Sequence, residues 1–509
     1  MAKKATKRVK RARPARGEAA GPAAGREDEL RIAVTFRRPA DNLGLTRYGA
    51  AMNAEAVHSF TPDPRAVEQA AAALQRGGFR VTSRGRLSLS VRGRRADFER
   101  LFGTKLTRID LKDLDFGRRQ ASMVHFPAAD APWSPDPSIA ALIDDAYIQW
   151  PHIYMSPSRR FDPPPPSPLP PRVDYHHLRV PGDVALLLNA ARVHRAGGTG
   201  HGVRVAMIDS GFYHGHPYFQ ELGYNSSIVL APGATHVDQD GNGHGTGESA
   251  NVFAVAPDVT FIGVKLDNEQ NPWAGASVLE GLQEALRHNP QVISVSLGYD
   301  LAFANRVHYP TLPNSLKALE AEIQAAVASG VVVVFSAGNG HVAFPGMMPE
   351  VVSAGGAYVA GDGVLRASDY ASAFRSRIYA GRLVPDFCGL VGLMSNHADY
   401  IMLPLQSGCA IDQGNAAHDA TATDDAWGVF SGTSASAPQL AGVCALLLEK
   451  NPGLTPAEVK AVIRRTCRDV TTGAANPASN ENVPLPAGPG VDGATGAGLV
   501  DAYAAWQQA

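Results

Sequence analysis

The chain has 509 residues, too many for one ordinary domain, and its 45% apolar share can bury a substantial core. A formal net charge of -1 gives no global attraction to nucleic acid or anionic membrane, and no run of about eighteen apolar residues is present to span a bilayer. Four cysteines, Cys388, Cys409, Cys444 and Cys467, are too few for a disulfide scaffold and lack close metal-ligand spacing, though a Cys388 to Cys409 bridge stays open.

Eight of the first sixteen residues are Lys or Arg, and small residues follow, so 1–29 is expected to be a disordered basic tail. The apolar core of a secretory signal does not follow the basic start, so the chain is expected to be cytoplasmic or exported without such a signal. Over 30–148 a small domain is expected. Ile32, Val34 and Phe36 alternate as in a half-buried strand; Asp63 and Pro64 open a helix that Gly77 and Gly78 end. Residues 79–82 extend again, Leu87, Leu89 and Val91 form a second period-two stripe, and 95–102 reads as a short helix with Phe98, Leu101 and Phe102 on one side. A strand at 105–109 closes a ferredoxin-like order of strand, helix, strand, strand, helix, strand.

Residues 149–178 contain Pro163 to Pro166, Pro168, Pro170 and Pro171, a density that favours extended polyproline and marks a linker. Beyond it, over 179–509, the grammar changes. Near-continuous apolar runs at 203–208, 261–264, 292–295 and 331–335 read as strands covered on both faces, with helical spacing at 278–286 and 315–329 between them. The fold expected is an α/β doubly wound, mostly parallel sheet, with polar residues gathered at the carboxyl ends of its strands.

Asp209 ends the first of these strands, where an acid alone could be a loop or capping residue. His244 lies in Asp240-Gly-Asn-Gly-His-Gly-Thr-Gly-Glu248, where glycines permit close packing around an imidazole at a helix start, placed to act as a general base; a structural or metal-binding turn is the alternative. Ser434 lies in Ser431-Gly-Thr-Ser434-Ala-Ser436 before a long apolar helix, whose free N–H groups can stabilise an oxyanion, with Ser436 as rival. A nucleophilic serine needs a base and an orienting acid, and the chain offers Asp, His and Ser in that order. Asn339, after the 331–335 strand, adds a neutral amide donor suited to a tetrahedral intermediate. Glu248, four residues after His244, shares its helix face and would orient the imidazole or raise its basicity, unless it is merely structural.

These four segments resemble those of the subtilase family of serine peptidases over roughly 180–505. The resemblance implies an Asp209, His244 and Ser434 triad with Asn339 as oxyanion donor. It also implies a substrate-pairing stretch at Ser296, Leu297 and Gly298, with Gly338 beside the pocket. The N-terminal region, including Gly77, Gly78 and 101–104, is similar to the activation domain of sedolisins, which share the fold but use Glu and Asp in place of histidine and Asp in place of Asn339. The resemblance therefore implies a self-processing serine endopeptidase with protein or peptide substrates, acting as a monomer. Its own N-terminal domain would serve as an intramolecular inhibitor. An acid-acting carboxyl peptidase and an inactive binding module are the competing readings. Similarity to the sedolisin calcium site further implies Ca2+ held by the carboxylates of Asp469 and Asp492 and the carbonyls of Val470, Gly488 and Gly490.

Overall fold

The computed structural model describes residues 29–45, 52–110, 123–127, 133–150, 166–271, 274–359, 363–394 and 400–509. The basic tail up to residue 28, and 151–165 of the proline-rich linker, lie outside the described residues.

The N-terminal part contains β1 (Glu29–Thr35), α1 (Pro64–Arg76), β2 (Arg80–Arg84), β3 (Ser88–Arg94), α2 (Arg95–Leu101), β4 (Leu106–Asp110), β5 (Met123–Pro127) and β6 (Asp145–Ile148). Asp63 caps α1 by accepting from the Arg65 N–H, and Pro64 supplies the preset φ of the first turn. Ile32 and Val34 of β1 and Leu89 and Val91 of β3 share a core with Leu74, Phe98, Leu101 and Phe102. The antiparallel sheet runs β2-β3-β1-β6. The strand expected to close this sheet at 105–109 forms, but β4 pairs with β5 in a separate hairpin, and β6 takes the fourth place beside β1 with Ile32 opposite Ile148. Local pattern identifies a strand; the partner is decided by a contact more than a hundred residues away.

The larger part contains β7 (Arg204–Asp209), β8 (Ser226–Leu230), α3 (His244–Val255), β9 (Thr260–Lys265), α4 (Val278–Leu286), β10 (Val292–Val295), α5 (Lys317–Ala328), β11 (Val332–Ser336), β12 (Val352–Val359), β13 (Leu365–Ala367), β14 (Phe387–Leu390) and α6 (Thr433–Lys450). Its sheet is ordered β13-β12-β11-β10-β7-β9-β8, with β14 also on β12; only the β12 to β13 pairing is antiparallel. Val205 and Met207 pack with residues of α3 and α6, whereas Ala206 and Ile208 pack with residues of α4 and α5. Helices on both faces explain why these strands read as continuous apolar runs.

Register then aligns the carboxyl ends. Val295 pairs with Ile208 and with Phe335, so Asp209, Ser296 and Ser336 leave the sheet side by side, with Asn339 three residues beyond. The N-terminal sheet rests on α4 and α5. Buried Glu322 accepts from the N–H groups of Arg86 and Leu87 (3.1 and 3.0 Å) and the Ser88 hydroxyl (2.7 Å), at the β2 to β3 turn. Ser90 donates to Gln283 (2.9 Å) and Thr82 to Glu280 (2.6 Å). Leu45, Val57, Phe60 and Leu87 cluster with Ala321 and Ala325. All four cysteines are free, and among the described residues no helix is long and apolar enough to cross a membrane.

Candidate active site

Asp209 is fully buried at the end of β7. Its Oδ1 lies 2.8 Å from Nδ1 of His244 and accepts from the Ser210 N–H at 2.7 Å. His244 is the first residue of α3, and the close approach depends on Gly245: a Cβ there would sit 2.3 Å from the Gly211 carbonyl and 2.9 Å from Cβ of Asp209. Burial alone would lower the His244 pKa, but the charge and hydrogen bond of Asp209, with the charge of Asp240 beyond, outweigh it and raise the value.

Asp240, in the glycine-rich turn before α3, holds this geometry. One of its oxygens accepts from Ser210 Oγ (2.9 Å) and Gly243 N–H (3.0 Å), the other from the N–H and hydroxyl of Thr246 (2.9 and 2.6 Å). Ser210 Oγ in turn accepts from the Gly245 N–H at 3.1 Å. The strand end bearing Asp209 and the helix start bearing His244 are thus tied by one carboxylate. Its signal was the aspartate four residues before His244.

Ser434 is the second residue of α6 and is buried. Its hydroxyl lies 3.4 Å from the Ser296 carbonyl, while Ser296 Oγ donates to the Ser434 carbonyl at 2.9 Å. Among the described residues no Ser434 to His244 hydrogen bond is made. The chain enters α6 through Gly432 at φ +105°, where a Cβ would stand 2.8 Å from Nδ2 of Asn339. Oδ1 of Asn339 accepts from the Thr433 N–H (2.9 Å) and lies 3.1 Å from its hydroxyl, leaving the Nδ2 protons for another acceptor. Thr433, also missed in the sequence, further accepts from the Gly338 N–H at 3.0 Å. Leu297 is buried, and Gly298 and Gly338 each face the β-segment Ala343–Phe344: a Cβ on Gly298 would meet the Phe344 carbonyl at 2.4 Å, one on Gly338 the Ala343 Cβ at 3.0 Å. Ser436, the rival, is fully buried and accepts from the Gly389 N–H of β14 at 2.8 Å.

Glu248 is fully buried one turn along α3, its Oε2 accepting from Asn251 at 3.0 Å. The residues expected to surround calcium are arranged differently from a cation site. Asp492 accepts from the N–H groups of Gly488, Ala494 and Thr495 (2.8, 2.7 and 2.8 Å), and Asp469 from the Gly490 N–H at 3.0 Å. N–H groups of the two glycines point at the carboxylates where carbonyls were expected, and the Val470 side chain is in the core. As folded, this donor set does not fit a calcium ion. Among the described residues no group of three or more His, Cys, Asp or Glu is arranged to hold a metal.

The model of the subtilase family matches residues 200–498. Subtilisin NAT of Bacillus subtilis subsp. natto is 27% identical over 289 residues, covering 54% of this chain and 62% of that protein. Subtilisin of Bacillus pumilus is 28% identical over 289 residues, with 54% and 86% covered, and serine protease AprX of Bacillus subtilis (strain 168) is 28% identical over 299 residues, with 52% and 61% covered. The chain thus spans 62% of the length of the first curated relatives it matches. The crystal structure of a lanthipeptide protease aligns at a TM-score of 0.48 and 23% identity, covering 64% of this chain and 93% of that one. With the family model matching more than half of this chain and a parallel α/β sheet bringing the motif residues to one edge, the chain belongs to the subtilase family.

Proposed function

We propose that this protein is a serine endopeptidase made as a self-processing zymogen, with Asp209, His244 and Ser434 as its triad. The observation that carries the reading is the buried 2.8 Å contact of His244 Nδ1 with Asp209 at the same sheet edge as Ser434. That contact fixes Nδ1 as the protonated nitrogen and leaves Nε2 as base for the Ser434 hydroxyl, which must turn from the Ser296 carbonyl to reach it. Attack on the scissile carbonyl puts negative charge on its oxygen; Nδ2 of Asn339 and the Ser434 N–H at the start of α6 are the donors that meet it. Asp209 stabilises the imidazolium, which then protonates the leaving amine, and water hydrolyses the acyl-enzyme. The substrate backbone lies along Ser296, Leu297 and Gly298, with Gly338 on the opposite wall of the crevice.

The sheet of β1, β2, β3 and β6, seated on α4 and α5 through Glu322, Gln283 and Glu280, acts as the activation domain and inhibitor, and the linker over 149–178 is where the chain is cut. The enzyme works as a monomer on protein or peptide substrates, and no step passes through calcium. The test compares the purified full chain with Ser434→Ala by N-terminal sequencing after incubation. Wild type should be processed in or near the linker, whereas the variant, losing about four or more orders of magnitude in rate, should stay intact. Equal processing of both would remove the assignment.

A further inference from the structure

Two buried carboxylate oxygens beside His244 have no hydrogen-bond partner among the described residues. They are Oδ2 of Asp209, whose other oxygen holds the imidazole, and Oε1 of Glu248, whose other oxygen accepts from Asn251. Both residues are 0% exposed. A buried acceptor left unpaired is unfavourable, and two carboxylates both ionised in one apolar interior more so. A single proton placed between them removes both deficits.

The fold places both groups against His244: Asp209 holds its Nδ1, and Glu248 lies one helical turn after it. Helical side chains lean towards the N-terminus, so Glu248 on the second turn of α3 reaches back along the face that begins with His244. Gly245 lets that first turn press directly on Asp209. The second oxygen of Glu248 is already fixed, because Asn251 donates to it while Oδ1 of Asn251 accepts from Gln439 of α6 at 3.1 Å. We infer that Glu248 keeps its proton and donates it to Oδ2 of Asp209, so that a neutral carboxylic acid backs the triad as a positioning residue; this deepens the triad reading and rests on it.

Electrostatics agrees with the geometry. Burial first, then the charge of Asp209 against the opposing effects of His244 and Asn251, pushes Glu248 up to about 8. The groups around it are accounted for. His244 lies on its own helix, and Asp209 on β7. Asp240 accepts four hydrogen bonds in the loop before α3. No charged residue of α6 precedes Glu449. The segments 400–404 and 182–187, which also pack on α3, carry Tyr400 and Asp183, the latter accepting from the Arg179 N–H.

The acid has a role distinct from packing. While protonated it pins the free oxygen of Asp209 and keeps the other one aimed at Nδ1. Once ionised it sets a second negative charge beside Asp209 and loses its hold. Glu248→Gln retains a donor for Asp209 and an acceptor for Asn251 but cannot ionise; Glu248→Leu fills similar space with neither. The full chain and both variants are labelled with a fluorophosphonate over about pH 5 to 10, and melting temperature is followed over the same range. Leu should slow labelling about tenfold or more, Gln should recover most of that loss, and the wild-type decline at alkaline pH should be absent in Gln. The stability sign is fixed as well. The folded chain holds a proton that the unfolded chain releases above about 4.5, so wild type loses stability as pH rises from there towards about 8, and Gln removes that slope between about 4.5 and 6.5, below the range in which His244 adds its own. Variants that are equally slow, a Leu variant as fast as wild type, or an alkaline decline and melting slope unchanged in Gln would each overturn the inference. Should Leu fail to fold, the comparison of Gln with wild type decides. A wild-type chain that takes up no label at any pH would instead remove the serine peptidase reading.

Discussion

Asn339→Asp separates its observed hold on Thr433 from the oxyanion role proposed for it. Oδ1 accepts from the Thr433 N–H at 2.9 Å and meets its hydroxyl at 3.1 Å, and an aspartate oxygen can do both. What the substitution removes is the Nδ2 donor, replaced by an oxygen of like charge to the developing oxyanion. Loss of one such donor lowers kcat by about 100- to 1000-fold, about 3 to 4 kcal/mol of transition-state stabilisation. The added negative charge places Asp at the upper end. Because the start of α6 keeps its partner, the midpoint of chemical denaturation should move little, and because the donor acts on charge present only in the transition state, KM should stay near wild type. Steady-state kinetics on a chromogenic peptide and a urea titration give both readouts. A fall in kcat of less than about tenfold, or a loss residing in KM, would refute the assignment of Asn339 to the oxyanion.

Peptidase activity should have an acid limb set by His244. The base must be neutral, and its raised pKa places the half-point above the ordinary imidazole value of about 6.5, with rate climbing as pH rises through it; a half-point at or below that value would contradict the Asp209 contact as described. The same shift stabilises the fold fully below about 6.5 and is lost as pH rises through the folded value. Asp492→Ala should lower stability by about 1 to 3 kcal/mol by stranding the N–H groups of Gly488, Ala494 and Thr495, by the same amount with calcium or chelator present. A calcium-dependent rise in melting temperature seen in wild type and lost in the variant would restore the metal site.

Much of the larger sheet was legible because its signals are local. Ser277 and Glu280 make a capping box at the start of α4, and the apolar run at 292–295 is β10 to the residue. The positions of Asp209, His244, Asn339 and Ser434 at strand or helix ends follow from the same local grammar. What stayed hidden depends on which loop meets which. Asp240 looked like one polar residue among glycines, and its four bonds exist only once the β7 end and the start of α3 are brought together. Thr433 read as the neighbour of a nucleophile, although its contacts are with a loop ninety-four residues earlier. The N-terminal sheet failed at its fourth strand for the same reason, since 105–109 does form a strand and only pairing gives its expected place to 145–148. At 469–492 the resemblance named the carboxylates, but whether N–H groups or carbonyls face them depends on a backbone orientation that the resemblance does not fix.

The contact between the N-terminal sheet and the two helices beneath it is unequal in what each side contributes. The helices offer Ala321 and Ala325 with Glu322, Gln283 and Glu280, small or polar groups that water can cover readily once uncovered. The other side offers the large apolar Leu45, Val57, Phe60 and Leu87 beside the hydroxyls of Thr82, Ser88 and Ser90. Parting the two would leave a hydrated, non-adhesive helix face on one piece and a cluster of large apolar side chains on the other. The larger portion would stay dispersed, while the detached N-terminal portion would be the one prone to self-association and to digestion, which would make a separation hard to reverse without any further chemical mark.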